Sequence, residues 1–257
     1  MATLRLEKTL ARGGAGIVAG VDEVGRGSLF GPVVAAAVIL PPEWLLRRPP
    51  AWAREIDDSK RLTPAKRAGL AASLLEEAWG VGLGLASASE IDSLNIYRAS
   101  HLAMRRAVEG LPAVPDVLLV DGFALKEVKY RQMGIPQGDR KCRSIAAASI
   151  VAKVFRDGLM GAFDALYEGY GLGRNKGYGT EEHFRMLRRI ADGGGGGDEL
   201  RPRPVVRGDP LQAADHVGHV RAEDPPQRVD LIDDHEPESP EETRPSAVMR
   251  QDRLVEH

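Results

Sequence analysis

Apolar positions fall into short unbroken runs and longer periodic stretches. Ile17 to Val21 and Val33 to Leu40 are compact apolar runs, separated by the polar, glycine-rich Gly25 to Gly31. Runs of this length bounded by turn residues read as buried strands, so the segment predicts a hairpin with Asp22 and Glu23 delivered at the end of its first strand. Val81 to Leu85 and Val117 to Val120 predict two further strands, the second ending on Asp121-Gly122.

Between these runs the period changes to that of helices. Thr63-Pro64 is a helix-start signal, with Leu70, Leu74, Leu75, Ala78 and Trp79 on one face before Gly80. A helix is expected from about Leu94, carrying Tyr97, His101, Leu102 and Val108, and it ends before Gly110 and Pro112. After a polar loop containing Asp139, Ser144 is placed to cap a long helix with Ile145, Ala148, Val151, Val154 or Phe155, Leu159 and Phe163 facing inward. Thr180 caps a last helix to about Ile190. An early hairpin followed by alternating helices and strands predicts an α/β fold with a mixed sheet.

The periodic signals stop at Ala191. Five glycines, Gly193 to Gly197, lead into a stretch rich in proline and charge that reads as a flexible, disordered tail. Charge divides at the same point. The net charge of the 257 residues is −2, but the part from Ala191 onward holds 16 acidic and 8 basic residues, leaving 21 acidic and 27 basic before it. All 13 aromatics lie in the basic body, which suits a polyanionic partner, whereas the tail lacks the apolar surface to fold alone. The single cysteine, Cys142, excludes a disulfide within the chain. The longest apolar run is far short of the ~20 residues needed to cross a bilayer, and the first residues lack a signal-peptide pattern. The expectation is a cytoplasmic monomer with no membrane contact, divided into an extension (1–15), a catalytic domain (16–190) and an acidic tail (191–257).

Two adjacent carboxylates at one strand end and a third at another suggest metal-assisted phosphodiester hydrolysis. Converging carboxylates suit hard divalent cations, and two such ions about 4 Å apart can span a scissile phosphate. Asp121 alone would more often be a turn or cap residue; the pair Asp22-Glu23 followed by Gly-Arg-Gly is harder to explain that way. Strand alternation raises a difficulty, because consecutive side chains point to opposite faces. Either the strand is irregular there or one residue uses its backbone carbonyl.

The stretch Ala19-Gly-Val-Asp-Glu-Val-Gly-Arg-Gly27, then Gly31-Pro-Val-Val-Ala-Ala-Ala-Val38, resembles the opening signature of ribonuclease HII. Further matches follow in the family's order: Asp58-Ser-Lys-Arg-Leu62, Glu90-Ile-Asp-Ser-Leu-Asn-Ile96, Val120-Asp-Gly122, Gly138-Asp139, Ala147-Ala-Ser-Ile-Val-Ala-Lys-Val154 and Lys176-Gly-Tyr-Gly-Thr180. The resemblance spans about residues 16–185. It implies a ribonuclease H-like fold, a mixed central sheet flanked by helices. It also implies a four-carboxylate site of Asp22, Glu23, Asp121 and Asp139 holding two Mg²⁺ or Mn²⁺ ions. Asp157 competes for the fourth place, but its position deep in the long helix favours a structural ion pair.

The resemblance further assigns ribose reading to Gly25, Arg26 and Gly27, with Tyr178 stacking on the neighbouring sugar; the 2′-hydroxyl is what distinguishes RNA from DNA. Lys60, Arg61, Lys153, Arg174 and Lys176 are candidate phosphate contacts, Lys60 and Lys176 foremost. His183 is read as a structural residue of the last helix. The implied activity is cutting of the RNA strand of RNA–DNA hybrids, and 5′ of ribonucleotides embedded in duplex DNA, leaving 3′-hydroxyl and 5′-phosphate ends. Two other readings stand beside it: a nucleic-acid-binding relic of the enzyme, and another two-metal nuclease or strand transferase of the same fold. The family's closing Gly-Pro-Ser-like turn and His-Arg-x-Ser-Phe-like segment have no counterpart after Ile190. The tail is therefore either the product of a lost reading frame or a genuine regulatory segment.

Overall fold

A computed structural model describes residues 1–126 and 128–191; the expected disordered tail lies outside them. In chain order the helices are α1 (Arg5–Arg12), α2 (Glu43–Leu46), α3 (Pro64–Glu77), α4 (Ala88–Leu94), α5 (Ile96–Glu109), α6 (Arg143–Leu166), α7 (Leu172–Asn175) and α8 (Glu181–Ala191). The strands are β1 (Val18–Val24), β2 (Val33–Ile39), β3 (Gly80–Ala86), β4 (Val117–Asp121) and β5 (Gln132–Ile135). They form one mixed sheet in the order β3-β2-β1-β4-β5. The first three are antiparallel: β1 and β2 form a hairpin, and β3 joins β2 after a long connection that contains α3. β4 and β5 add in parallel on the other side of β1.

β2 lies at the centre of the packing, and every one of its seven residues is buried. Val34, Ala36 and Val38 face α3 and α6, while Val33, Ala35, Ala37 and Ile39 face α5. A strand covered on both sides loses the usual apolar–polar alternation, which explains its continuous apolar sequence. The helices come very close to the sheet at glycines. A Cβ on Gly20 would lie 2.1 Å from the backbone of Ser144, and one on Gly84 would lie 2.1 Å from the Ala103 carbonyl. The start of α6 therefore rests directly on β1, the strand that carries Asp22 and Glu23.

The structure departs from the sequence reading in several places. The expected helix from about Leu94 is α5, starting at Ile96, and an unforeseen helix, α4, precedes it; the two meet at Asn95 with φ 71°. Asn95 ends α4 and caps α5, its side-chain oxygen accepting from the N–H groups of Tyr97 and Arg98 at 3.0 and 3.1 Å. α4 buries none of its residues, so no apolar stripe announces it. Leu75 and Trp79 are exposed, so the inward face of α3 is narrower than its spacing suggests. Ser144 is not the cap of α6; Cys142 holds that position without a side-chain cap. The buried carboxylate of Glu7, from α1, accepts from both the N–H and the hydroxyl of Ser144 at 2.9 Å. The first residues thus pack onto the body, and Thr3 forms a bridge with Cys142. Strand β5 arises in the expected polar loop, where the Gln132 side chain ties Leu125 at both its N–H and its carbonyl.

Candidate active site

Parallel pairing of β1 and β4 aligns Val21 with Val120, so the next residues, Asp22 within β1 and Asp121 at the end of β4, stand side by side. β1 keeps its regular pairing with β2 as far as Val24, with Asp22 opposite Ala36 and Glu23 opposite Ala35. The strand is therefore not irregular. Asp22 lies on the α6 side of the sheet, and Glu23 lies on the α5 side. Asp121, at the strand end between them, is near enough to disfavour ionisation of both. Asp139 sits in a single 3₁₀ turn, Gly138–Arg140, just before α6. The N–H of Gly138 donates to Asp121 Oδ1 at 2.6 Å, which ties this turn to the end of β4.

Electrostatics mark these carboxylates as crowded. Burial, reinforced by the charges of Glu23 and Asp121, pushes the Asp22 carboxyl well above the usual aspartate range. Burial also raises Glu23, against the opposing hydrogen bond and charge of Arg26. Asp139 is raised by burial and by Asp58 and Asp121, with Lys60 and Arg140 opposing. Three of the carboxylates accept from nearby protein donors. Asp22 accepts from the Glu23 N–H at 2.7 Å, Glu23 from Arg26 at 3.1 Å and Asp121 from Gly138. The second Glu23 oxygen is buried with no hydrogen-bond partner among the described residues. Among the described residues, no three Asp, Glu, His or Cys side chains converge tightly enough to hold one ion together. The donor set still fits a hard divalent cation: it is all oxygen, mutually repelling, and has a buried oxygen unpaired.

The ribose-reading candidates lie on one surface beside the carboxylates. The turn after β1 is closed by Ser28, whose N–H and hydroxyl donate to the Gly25 carbonyl at 3.2 and 2.7 Å. Ser28 forms an antiparallel bridge with Tyr178, and Leu29 donates to the Gly177 carbonyl at 2.8 Å. Gly25 has φ +101°, and a Cβ there would lie 2.5 Å from Arg156. Its glycine is needed by the interior, whereas Gly27 faces open space. Lys176 turns back to donate to the Asp157 carbonyl at 3.2 Å. Lys153 pairs with Asp157 at 2.6 Å, Arg174 pairs with Glu182 at 2.7 Å and Arg61 pairs with Asp57 at 3.0 Å. Asp157 also meets Arg67 at 3.4 Å, an ion-pair role away from the strand ends. His183 is fully buried, and its Nδ1 lies 2.9 Å from the Tyr178 carbonyl, which helps fix that loop. A small cavity of about 90 Å³ lies on the α5 side of Glu23 and Asp121, walled by Arg26, Tyr97, His101 and Phe123.

Arg156 is the residue that sequence reasoning missed most clearly. It is fully buried on α6 and meets no carboxylate among the described residues. Its guanidinium donates instead to the carbonyls of Pro32, Lys176 and Phe30 and to the Ser28 hydroxyl, at 2.8–3.0 Å. It also lies 5.4 Å from the centre of the Tyr178 ring. One side chain thus fastens the turn after β1 to the Lys176–Tyr178 loop. The available signal was an arginine spaced with Ala152, Leu159 and Phe163 on the inward face of α6. Asp58 was missed as a site residue for a similar reason: its burial comes from loops distant in sequence.

The sequence model of the ribonuclease HII family matches residues 19–192. Among curated proteins, ribonuclease HII of Desulfitobacterium hafniense (strain DSM 10664 / DCB-2) is 52% identical over 188 residues, covering 73% of this chain and 70% of its own length. That of Moorella thermoacetica is 50% identical over 184 residues, covering 72% of this chain and 86% of its own. Among solved structures, the ribonuclease H2 of Pyrococcus horikoshii OT3 superimposes with a TM-score of 0.55 at 25% identity, covering 70% of this chain and 90% of that one. A fold of mixed sheet and flanking helices, shared with that structure, and half-identical relatives across the segment that carries the carboxylates lead to one assignment: the chain belongs to the ribonuclease HII family of ribonuclease H-type hydrolases.

Proposed function

We propose that this chain hydrolyses the RNA strand of RNA–DNA hybrids and cuts on the 5′ side of ribonucleotides embedded in duplex DNA. Its cellular task on this reading is removal of misincorporated ribonucleotides and RNA primers. The observation that carries the reading is the Ser28–Tyr178 bridge. It joins the glycine-flanked turn and the aromatic residue into one surface, continuous with the strand that carries Asp22 and Glu23.

Asp22, Glu23, Asp121 and Asp139 would hold two Mg²⁺ or Mn²⁺ ions. When bound, the ions supply a water activated for attack and neutralise charge on the scissile phosphate. The protein's own part is selection and alignment. The backbone around Gly27 is open to approach by a sugar, and Arg26, held by Glu23, borders the same edge. Tyr178 offers a ring face for the adjoining sugar, backed by Lys153 and Arg156. A 2′-hydroxyl at that surface aligns the phosphate on its 5′ side with the carboxylates, and cleavage leaves a 3′-hydroxyl and a 5′-phosphate.

The test is cleavage of a DNA duplex with one embedded ribonucleotide against an all-DNA duplex, with Mg²⁺ or Mn²⁺. The ribonucleotide duplex alone should be cut, and Asp121→Asn should reduce the rate by at least about 100-fold, as for removal of one member of a jointly acting set. Equal cutting of both duplexes, or full activity in the variant, would refute the reading.

A further inference from the structure

The basic residues around the carboxylates are mostly already engaged. Lys153 and Arg67 pair with Asp157, Arg26 with Glu23 and Arg174 with Glu182. Lys176 and Lys141 donate to the carbonyls of Asp157 and Pro136. Two cations beside Asp139 differ. Lys60 is exposed, and its ammonium has no ion-pair or hydrogen-bond partner among the described residues. Arg140 uses only Nε, which donates to Asp58 Oδ2 at 3.0 Å, so neither terminal nitrogen has a partner among the described residues.

Asp58 explains why both stand there. Its side chain is only 1% exposed, whereas that of Arg140 is 55% exposed. Its other oxygen accepts the Lys60 N–H at 2.9 Å, capping the turn Ser59–Arg61. Burying a carboxylate is costly unless both oxygens are satisfied, and here the two donors come from the loops that carry Lys60 and Arg140. One buried anion therefore fixes two cationic loops side by side and turns their unspent donors outward. Arg140 follows Asp139 in the same turn, and Asp58 joins that turn to the one carrying Lys60, which places both cations at one edge of the acidic cluster.

We propose that Arg140 and Lys60, set by Asp58, form a seat for a backbone phosphate of the nucleic-acid substrate next to the scissile one. The guanidinium fork offers two parallel N–H donors to the phosphate oxygens, and the ammonium offers a point charge. The seat rests on the ribonuclease reading only in taking nucleic acid as its ligand.

Binding of an all-DNA duplex, measured in EDTA across a series of salt concentrations, tests it without any cleavage. R140A should make the slope of log Kd against log salt shallower by about 0.9, the loss of one phosphate contact. R140A together with K60A should lose about twice that. R140K keeps the charge but not the fork, so the slope should hold while affinity falls several-fold. An R140A protein with the parent's slope and affinity would overturn the proposal. Should R140A unfold, R140K decides, and parental affinity there would overturn it equally. Selective cutting of the ribonucleotide duplex with no slope change in R140A would sink the seat and leave the ribonuclease reading standing. A changed slope without such cutting would do the reverse.

Discussion

Asp22 and Glu23 are neighbours in sequence but occupy opposite sides of the sheet, and the conflict this creates is electrostatic. Asp22 is buried beside two further carboxylates. Its ionised form is disfavoured by burial and by like charge, so at neutral pH it is a liability to the metal-free fold. Asp22→Asn should therefore raise the thermal midpoint of the metal-free protein, by roughly 1 kcal/mol in stability, while abolishing cleavage. Thermal melts in EDTA check this, and a lowered midpoint would contradict the crowding. Legibility at this scale followed burial. Asp22, Glu23 and Asp121 were visible because each closes an apolar run, and Asp139 was visible through the family resemblance. Asp58, Glu7 and Arg156 were not, since each is buried by segments far away in the chain.

At the scale of elements, the site depends on how helices are pinned to the sheet. Arg156 joins α6 to two loops through four acceptors, and lysine cannot reproduce that fork. Arg156→Lys should cost about 3 kcal/mol by leaving buried acceptors unpaired. It should also reduce discrimination between the ribonucleotide and all-DNA duplexes, because the turn and Tyr178 lose their common anchor. Denaturant unfolding and the ratio of cutting rates check the two parts. Helix α4 is pinned differently. Ser87 and Glu90 form a reciprocal capping box, and Glu90 also receives Arg106 at 2.8 and 2.9 Å. The Arg106 hydrogen bond holds the Glu90 carboxyl below its ordinary range, outweighing burial, and Ser87 helps. A lowered folded-state pKa gives stability that is full above the unfolded value, near pH 4, and lost as pH falls through the folded one. Glu90→Gln should thus cost about 1 kcal/mol at pH 7 and progressively less as pH falls below about 4, by unfolding across that range. Of the elements, the hairpin strands, β3, β4, α3, α5, α6 and α8 were legible in the sequence. Helix α4 and strand β5 were not, because one buries none of its residues and the other is a four-residue edge strand with little buried surface.

Across the whole molecule, the mixed sheet was foreseeable but its strand order was not, since parallel addition of β4 beside β1 is decided by packing of α5 and α6 on opposite faces. That order puts Asp22 and Asp121 together, although 99 residues separate them in the chain. The first residues contribute as well. The Ala2 N–H donates to Asp57 and its carbonyl accepts from Arg143, and Glu7 caps α6. Residues 1–12 therefore brace the turn that holds Asp139, even though no local pattern announced them. The central claim is that all of this serves a cut directed by a single 2′-hydroxyl. The most direct measurement is to map the cut in an end-labelled DNA duplex with one ribonucleotide, and to identify the new ends, with Mg²⁺ or Mn²⁺ present. The account predicts one cut, immediately 5′ of the ribonucleotide, giving a 3′-hydroxyl and a 5′-phosphate. A cut on its 3′ side, a cyclic or 3′-phosphate end, or cuts scattered through the DNA would contradict it.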